Sequence, residues 1–312
     1  MRESNPVMPT IVVHGGAGRV AEDNHEAAVA GVEAAARAGH AALLEHGCEA
    51  AVVAAVRVLE DLENFNAGRG ACMTEEGTFE VDAGIMRSRD LRSGAVASVR
   101  DLADPITVAR EIMEHSRHCL LVGEGAHAFA RARGVGRFDR SALWTAKAQD
   151  RFDEAVASGG GRGVVGQADT VGAVAIDGQG YLCAGGSTGG VLLKARGRVG
   201  DCPLIGPGFF ASPTLGAACA TGVGEAIMTH VASFAALQLA AAGTPANEAA
   251  ARLCERVSTV LVAGQPASCG IIMITAAGEV GVAHQSPHMS WAVARGEAAA
   301  PALEAGLRRG RP

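Results

Sequence analysis

The sequence predicts an α+β fold in which helices cover antiparallel sheets. Strand-like and helix-like segments occur in separate groups along the chain, and hairpin signals join neighbouring strands where a βαβ order would need helical crossovers. The 312 residues are 48% hydrophobic, which is enough for a sizeable core. Because only 4% are aromatic and 42 are glycine, we expect closely packed small residues in that core.

Local patterns place the individual elements. Short apolar runs predict strands near residues 10–13, 94–99, 170–176, 181–185, 270–275 and 280–284. Apolar residues at helical spacing predict helices near residues 23–44, 49–61, 105–112, 125–133 and 224–241, with another helix starting at 244–245. The hairpin signals lie at residues 177–180 and 276–279. The glycines of residues 14–18 predict a tight turn or a close approach of the backbone to another group.

Residues 147–168 lose hydrophobic periodicity and include three consecutive glycines at 159–161. This composition predicts a flexible surface connection. Such a run could link two domains, but the strand set on each side of it is incomplete alone. We therefore predict a single domain over residues 1–312 with an exposed loop that is open to cleavage.

Charge and cysteine usage exclude several classes of protein. A net charge of −6 and a pI near 5.9 give no electrostatic reason to expect nucleic acid or a membrane as a partner. The N-terminal residues match neither a signal peptide nor a membrane span, so a cytoplasmic protein is expected. The eight cysteines are scattered singly, unlike a disulfide scaffold or a zinc ribbon. His115, His118 and Cys119 are close in sequence, yet no second cluster completes a metal site.

Three chemistries are compatible with local motifs. Residues 185–189 read G-x-S-x-G, but the residues that follow predict a strand and loop where a nucleophile elbow needs a helix. Residues 16–21 approximate G-x-G-x-x-A without the acidic residue expected after a second strand. Thr170 follows the loop and starts a strand, so cleavage before it would create an N-terminal nucleophile. A free α-amine, with a reference pKa of about 7.7–8.0, can act as the base for the threonine hydroxyl.

Six ordered motifs decide between these chemistries. They are HGGAG at 14–18, FNAGRGACMT at 65–74, DTVGAVA at 169–175, STGG at 187–190, GRVGDCP at 197–203 and ATGVGE at 220–225. In these motifs, nearly the whole chain resembles the plant-type L-asparaginase/isoaspartyl peptidase family, relatives of glycosylasparaginase. The resemblance implies a four-layer αββα sandwich of the N-terminal nucleophile hydrolase type. It also implies a homodimer of processed αβ units and no organic cofactor.

The resemblance assigns roles in self-cleavage and catalysis. Autocleavage after Asp169 would separate an α subunit of residues 1–169 from a β subunit of residues 170–312, with Gly15 near the scissile bond. The freed Thr170 would attack the substrate's side-chain amide carbonyl and form a β-aspartyl enzyme. Thr188 would orient Thr170. Thr221 and the backbone N–H of Gly222 would stabilise the oxyanion.

Further roles concern substrate and ion binding. Arg198 would hold the substrate's α-carboxylate, Asp201 its α-ammonium, and Asn66 would support the site. The resemblance also implies a structural sodium ion held by the backbone carbonyls of Leu59, Glu60, Leu62, Phe65, Ala67 and Arg69. Arg69 stands where an apolar residue is expected. Two other departures, at residues 87–90 and 209–213, are expected to reshape the rim of the substrate site.

The expected substrates are small molecules, namely L-asparagine, β-aspartyl dipeptides, or both. One alternative is a glycosylasparaginase-like hydrolase on the same fold. Another, from a different class, is a nucleotide-binding protein that uses the HGGAG segment.

Overall fold

The computed structural model describes residues 7–159 and 170–309, which form a mixture of helices and sheets. The helices in these ranges, apart from short 3-10 turns, are α1 His25–His46, α2 Cys48–Asp61, α3 Pro105–His115, α4 Gly123–Arg133, α5 Arg140–Leu143, α6 Ala146–Ala157, α7 Gly224–His230, α8 Ala232–Ala241 and α9 Ala246–Val257. The α+β class predicted from the sequence is confirmed.

The strands in the same ranges are β1 Thr10–Gly18, β2 Glu80–Arg87, β3 Ser93–Arg100, β4 Leu120–Val122, β5 Val171–Ile176, β6 Leu182–Thr188, β7 Phe209–Ser212, β8 Gly216–Gly222, β9 Leu261–Val262, β10 Gln265–Pro266, β11 Cys269–Thr275, β12 Val280–Gln285, β13 His288–Arg295 and β14 Ala302–Arg309. The large sheet has the order β14-β13-β1-β5-β6-β2-β3-β4, and the small sheet has the order β12-β11-β8-β7. All neighbouring strands in the two sheets are antiparallel except β3 and β4, which run parallel.

Both predicted hairpins are present. The Asp177 N–H donates to the Tyr181 carbonyl at 3.0 Å and closes the turn between β5 and β6. The Thr275 N–H donates to the Glu279 carbonyl at 2.9 Å and closes the turn between β11 and β12. These turns set the register of β5 against β6 and of β11 against β12.

The central strands are buried on both faces. In β1, Ile11 and Val13 pack in a cluster with α1 and α2, whereas Val12 packs in a second cluster with residues of both sheets. Alternate side chains point to opposite faces of a strand, so such a strand is apolar at every position. α1, α2 and α3 contact the large sheet, α8 and α9 contact the small sheet, and β5 and β6 contact β8 across the two sheets.

The HGGAG segment is a strand, and the turn predicted for it is wrong. β1 continues to Gly18, with a register irregularity between His14 and Ala17. The alternative expectation, a close approach, holds at Gly15, where a Cβ would lie 2.5 Å from the Ser290 hydroxyl and overlap the Phe65 ring. A glycine-rich loop that cradles a nucleotide between a strand and a helix is therefore absent from residues 14–18.

Two helix predictions need correction. The flexible connection predicted from residue 147 is helical over Ala146–Ala157, where the Thr145 side chain caps the Ala148 N–H and two alanines are buried. The remaining linker residues 160–168 lie outside the described residues. The single helix predicted over 224–241 is broken at Val231, whose φ of 48° is a left-handed conformation that a β-branched side chain adopts at a steric cost.

Of the two departures expected to reshape the rim, the one at residues 87–90 lies away from the predicted site, and the one at residues 209–213 begins with a residue buried between the sheets. Arg87 is at the opposite end of β2 from Asp82, the residue paired with Thr188, which places it about 17 Å along the strand. The Arg87 guanidinium donates to Asp90 at 2.8 Å and to Glu114 at 2.6 Å. Phe209 is fully buried and packs against Gly84 between the sheets. Arg87 and Phe209 therefore stabilise the fold.

Replacing Arg87 by methionine is expected to lower the free energy of unfolding by about 3–5 kcal/mol, because the surrounding carboxylates lose a buried partner. Urea unfolding measures the effect, and Arg110→Met on the exposed face of α3 is a matched control. We expect KM to stay unchanged in both variants. A raised KM with an unchanged unfolding midpoint would contradict the structural role and restore the rim hypothesis.

No helix in the described ranges is long and apolar enough to cross a membrane.

Candidate active site

The register of the large sheet brings Thr170 and Thr188 together. Val171 pairs with Ser187 and Gly172 with Gly186, so the antiparallel pairing of β5 and β6 sets Thr170 opposite Thr188. Thr170 is only 3% exposed, and it directly precedes β5, the strand between β1 and β6. Its predicted cleavage partner Asp169 lies outside the described residues. The sheet therefore holds the candidate nucleophile from both sides.

Thr221 and Gly222 reach the same region from the small sheet, at the end of β8. A Cβ on Gly172 would lie 2.5 Å from the sulfur of Cys219, which is two residues before Thr221. The two sheets therefore lie close together at this point. Thr221 is fully buried, and its hydroxyl has no hydrogen-bond partner within residues 7–159 and 170–309. Gly222 has a φ of 135°, and a Cβ there would overlap the Ser268 carbonyl. A buried hydroxyl without a partner is a group that a ligand can satisfy.

Asn66 joins two loops beside Thr188. Its side-chain amide donates to the Gly190 carbonyl at 2.6 Å, and its side-chain oxygen accepts from the Cys72 N–H at 2.8 Å. The Thr188 hydroxyl accepts from the Gly190 N–H at 3.0 Å. The supporting role predicted for Asn66 therefore has a geometric basis.

Arg198 and Asp201 converge on Gly224. A Cβ on Gly224 would lie 3.0 Å from both the Arg198 Nη2 and the Asp201 Oδ1. Asp201 is 3% exposed, and its Oδ2 has no hydrogen-bond partner in the described part of the chain. Burial raises the pKa of Asp201 to about 7, although the nearby Arg198 charge opposes this. A cation and a partly unsatisfied carboxylate thus lie on one side of the site.

Comparisons with known proteins agree with this geometry. The family model described as "Asparaginase" matches residues 7–303. The chain belongs to the asparaginase family. It is 40% identical over 292 residues to the isoaspartyl peptidase/L-asparaginase of Bos taurus, covering 92% of this chain and 93% of that protein. It is 38% identical over 296 residues to the Danio rerio protein of the same name, covering 93% of each. It is 40% identical over 301 residues to the plant-type L-asparaginase of Pyrococcus furiosus, covering 91% and 96%.

The loop expected to bind a cation in this asparaginase-family chain lies between the end of α2 and β2. A Cβ on Gly68 would overlap the Glu60 carbonyl and lie 2.8 Å from the Ala103 carbonyl. A Cβ on Gly70 would overlap the Phe65 carbonyl. Backbone oxygens therefore crowd these glycines. The Arg69 side chain is 45% exposed and lies 4.0 Å from Glu63. Within the described residues, no group of three His, Cys, Asp or Glu side chains could hold a metal ion.

Sequence reasoning missed Glu225, the last residue of the ATGVGE motif. The Arg198 Nε and Nη2 donate to its carboxylate at 2.9–3.0 Å. Glu225 therefore fixes one edge of the guanidinium and leaves the Nη1 end, which faces Gly200, for another acceptor. Glu225 was visible in the sequence as part of the ATGVGE motif. Its partner Arg198 is 27 residues away, so only the fold shows that the two side chains meet.

Two buried charged residues, Asp82 and Lys194, were also missed. Asp82 is paired with Thr188 in the sheet and accepts from the Ser98 N–H at 2.7 Å. Lys194 is 3% exposed, and its ammonium donates to the Glu80 carbonyl at 2.7 Å. Burial raises the pKa of Asp82 and lowers the pKa of Lys194, and each charge opposes the shift of the other. Both charges therefore lie near the strand end that carries Thr188, Asp82 through its sheet pairing and Lys194 through its bond to Glu80 on the same strand as Asp82.

His14 lies against the candidate nucleophile strand. A Cβ on Gly172 would lie 2.5 Å from the His14 Nε2, so the fully buried imidazole packs directly against β5. Burial lowers the pKa of His14 to about 3, an effect that the Thr170 backbone opposes. The imidazole is therefore neutral at physiological pH. The HGGAG motif marked this segment, but only Gly15 was assigned a role from it.

The competing serine chemistry does not fit the structure. Ser187 is fully buried within β6, and the residues after Thr188 form turns, not the helix that follows a nucleophile elbow.

Proposed function

We propose that the chain is an autoprocessing amidohydrolase that hydrolyses L-asparagine to aspartate and ammonia and cleaves β-aspartyl dipeptides. One observation carries the proposal. Thr170 starts a buried central strand, and the register sets it opposite Thr188 beside the unpartnered hydroxyl of Thr221. The names of the relatives, which combine isoaspartyl peptidase with L-asparaginase, support the same substrates.

Thr170 acts as both nucleophile and base in the proposed mechanism. Once the Asp169–Thr170 bond is cut, the Thr170 hydroxyl gives its proton to its own α-amine, and Oγ1 forms a bond to the substrate's side-chain carbonyl carbon. The C–N bond then breaks, and the proton passes to the leaving nitrogen, which departs as ammonia or as an amino acid. Water hydrolyses the remaining β-aspartyl ester by the same proton transfers in reverse.

Charge developed on the carbonyl oxygen needs donors that are already in place. The Thr221 hydroxyl and the Gly222 N–H fill this role in the proposal. Both sit on a buried strand end, so no side chain must be reorganised when the charge forms. Arg198 holds the substrate's α-carboxylate and Asp201 its α-ammonium, because a guanidinium fork suits a carboxylate and Asp201 retains an unsatisfied oxygen.

Self-cleavage is tested by the intact mass of the purified protein. We expect two fragments, one ending at Asp169 and one beginning at Thr170, together with hydrolysis of asparagine and of a β-aspartyl dipeptide. An intact chain with full activity would refute the mechanism. Fragments without either activity would refute the proposed substrates.

The proposal includes finer points of architecture. We infer a four-layer αββα sandwich, supported by helices that contact each sheet and by contacts between the two sheets. The processed chain remains one domain over residues 1–312, and two αβ units associate as a homodimer.

We also propose that the loop after α2 binds a sodium ion through its backbone carbonyls. Support comes from the carbonyls of Glu60 and Phe65, which crowd Gly68 and Gly70, because hard monovalent and divalent cations prefer oxygen ligands. The ion supplies no reactive group in this proposal. It offsets the repulsion of the carbonyl dipoles and so stabilises the loop that carries Asn66.

Replacing Glu225 by glutamine is expected to raise KM for asparagine about tenfold with little change in kcat, because the Arg198 guanidinium loses the charged partner that orients it. Steady-state kinetics measure the effect. Glu248→Gln, which removes an exposed i,i+4 partner of Arg252 on α9, is the matched control. A lower KM in Glu225→Gln would show instead that Glu225 competes with the substrate's carboxylate.

The pH profile should report two ionisations. Asp201, with a pKa raised to about 7 by burial, binds an ammonium only when deprotonated, and the Thr170 amine accepts a proton only as the free base. Both requirements favour higher pH. We expect log kcat/KM to rise with a slope approaching about 2 below pH about 6.5, and log kcat with a slope of about 1, since bound substrate keeps Asp201 ionised. A slope of one in both plots would contradict the role of Asp201.

A further inference from the structure

A cavity of about 550 Å³ is lined by α6 and by the segments that follow β1, α2 and β6. One wall is a face of α6 that presents Lys147, Arg151 and Glu154 at helical spacing. The opposite walls include Arg19 and Leu192. A cavity of this size can hold the amino-acid portion of a small substrate. None of the residues predicted for catalysis or substrate binding lines it.

Three segments that surround Thr170 continue into the cavity walls. Arg19 follows β1, whose His14 pairs with Gly172 on β5. Asn64 precedes Asn66, the residue that joins the two loops beside Thr188. Leu192 follows Gly190, whose N–H donates to the Thr188 hydroxyl. The cavity is therefore bordered by the segments that flank Thr170 and Thr188, and its lining does not include Arg198 or Asp201, which gather at Gly224.

The lining of this cavity is positively charged, whereas the whole chain has a net charge of −6. Arg19, Lys147 and Arg151 face a single acid, Glu154. Neither Arg19 nor Lys147 has an ion-pair partner within residues 7–159 and 170–309. Lys147 is one of only two lysines in the sequence. The cavity thus offers two cationic side chains to an anionic group.

We propose that this cavity is the subsite for the amino acid released from β-aspartyl dipeptides, and that Arg19 and Lys147 bind its carboxylate. The inference rests on the proposed function, and it extends that function to the leaving group. In the first step the Thr170 Oγ1–carbon bond forms, the amide C–N bond breaks and the nitrogen takes up the proton held by the Thr170 amine. The departing group is then a free amino acid, whose carboxylate stays paired with the two cations until it leaves. Asparagine releases only ammonia, so it has no group that reaches the subsite.

The test compares β-aspartyl-leucine with β-aspartyl-leucinamide, which has the same shape without the leaving-group carboxylate. For the processed wild-type enzyme, we expect kcat/KM to be about three- to tenfold higher for the acid than for the amide, the effect of one or two partly exposed ion pairs. In the double variant Arg19→Gln/Lys147→Gln, this ratio should fall towards one. Asparagine hydrolysis, measured beside both, reports the activity that does not involve the subsite.

Controls separate the possible outcomes. Arg37→Gln, an exposed arginine on α1, should keep the wild-type ratio, and Lys147→Arg should preserve most of it because the charge remains. The ratio of kcat/KM for the acid to kcat/KM for the amide is measured on the wild-type enzyme without any variant. The proposal can therefore still be tested if the double variant does not fold. A ratio of one in the wild type, or a full ratio retained in the double variant, would overturn the subsite while asparagine hydrolysis upholds the proposed function. If the wild-type enzyme hydrolysed none of the three substrates, both the subsite and the proposed function would be overturned.

Discussion

Replacement of Thr170 by alanine is expected to lower kcat for asparagine by at least about 10⁴-fold, the loss typical of a removed covalent nucleophile. The hydroxyl forms the bond to the substrate, and no other described residue can take its place on β5, since Val171 and Gly172 follow it. Single-turnover kinetics and the mass of any covalent β-aspartyl adduct measure the effect. The variant should also remain uncut.

Thr170→Ser is the matched control, because serine keeps both the hydroxyl and, after cleavage, the α-amine. We expect it to retain self-cleavage and a measurable fraction of activity. If Thr170→Ala instead hydrolysed asparagine at a rate within tenfold of the wild type, the nucleophile would have to be sought elsewhere.

Replacement of Thr221 by valine is expected to lower kcat by about 10²–10³-fold, the usual loss when one oxyanion donor is removed. The same change should leave the free energy of unfolding within about 0.5 kcal/mol or raise it slightly, because the buried hydroxyl forms no hydrogen bond to a described residue. Kinetics and urea unfolding, measured together, distinguish a catalytic group from a structural one.

Thr221→Ser restores the hydroxyl at the same position and should recover most of kcat. An unfolding free energy that falls by several kcal/mol in Thr221→Val, with kcat reduced in proportion to the folded fraction, would assign Thr221 a structural role.

Much of the fold was predictable because its signals are local. The hairpins at 177–180 and 276–279 depend on short turns, and α2 depends on a helical repeat, so both could be inferred from neighbouring residues. The strand through residues 14–18 was not predictable, because Gly15 is required by the Phe65 ring and Ser290, which lie far away in sequence. The helix α6 was not predicted, because the adjacent run of glycines made the whole segment resemble a flexible loop.

The candidate site was predictable where a motif names the residue, as for Thr170, Thr188 and Thr221. The structure brings these threonines to adjoining strand ends. Lys194 and Glu225 could not be assigned from sequence. Their significance depends on partners contributed by β2 and by the loop after β6, and only the register of the sheet brings those partners together.

The order of the large sheet has a consequence for the cleavage proposed before Thr170. Residues before the cut supply β1 to β4, and residues after it supply β5, β6, β13 and β14. Since the order is β14-β13-β1-β5-β6-β2-β3-β4, the two pieces meet along three strand pairings, β13 with β1, β1 with β5, and β6 with β2. The pieces are interleaved, so neither can dissociate without breaking the central sheet. A cut before Thr170 would accordingly have to follow folding, and the two pieces would then stay together in one sheet.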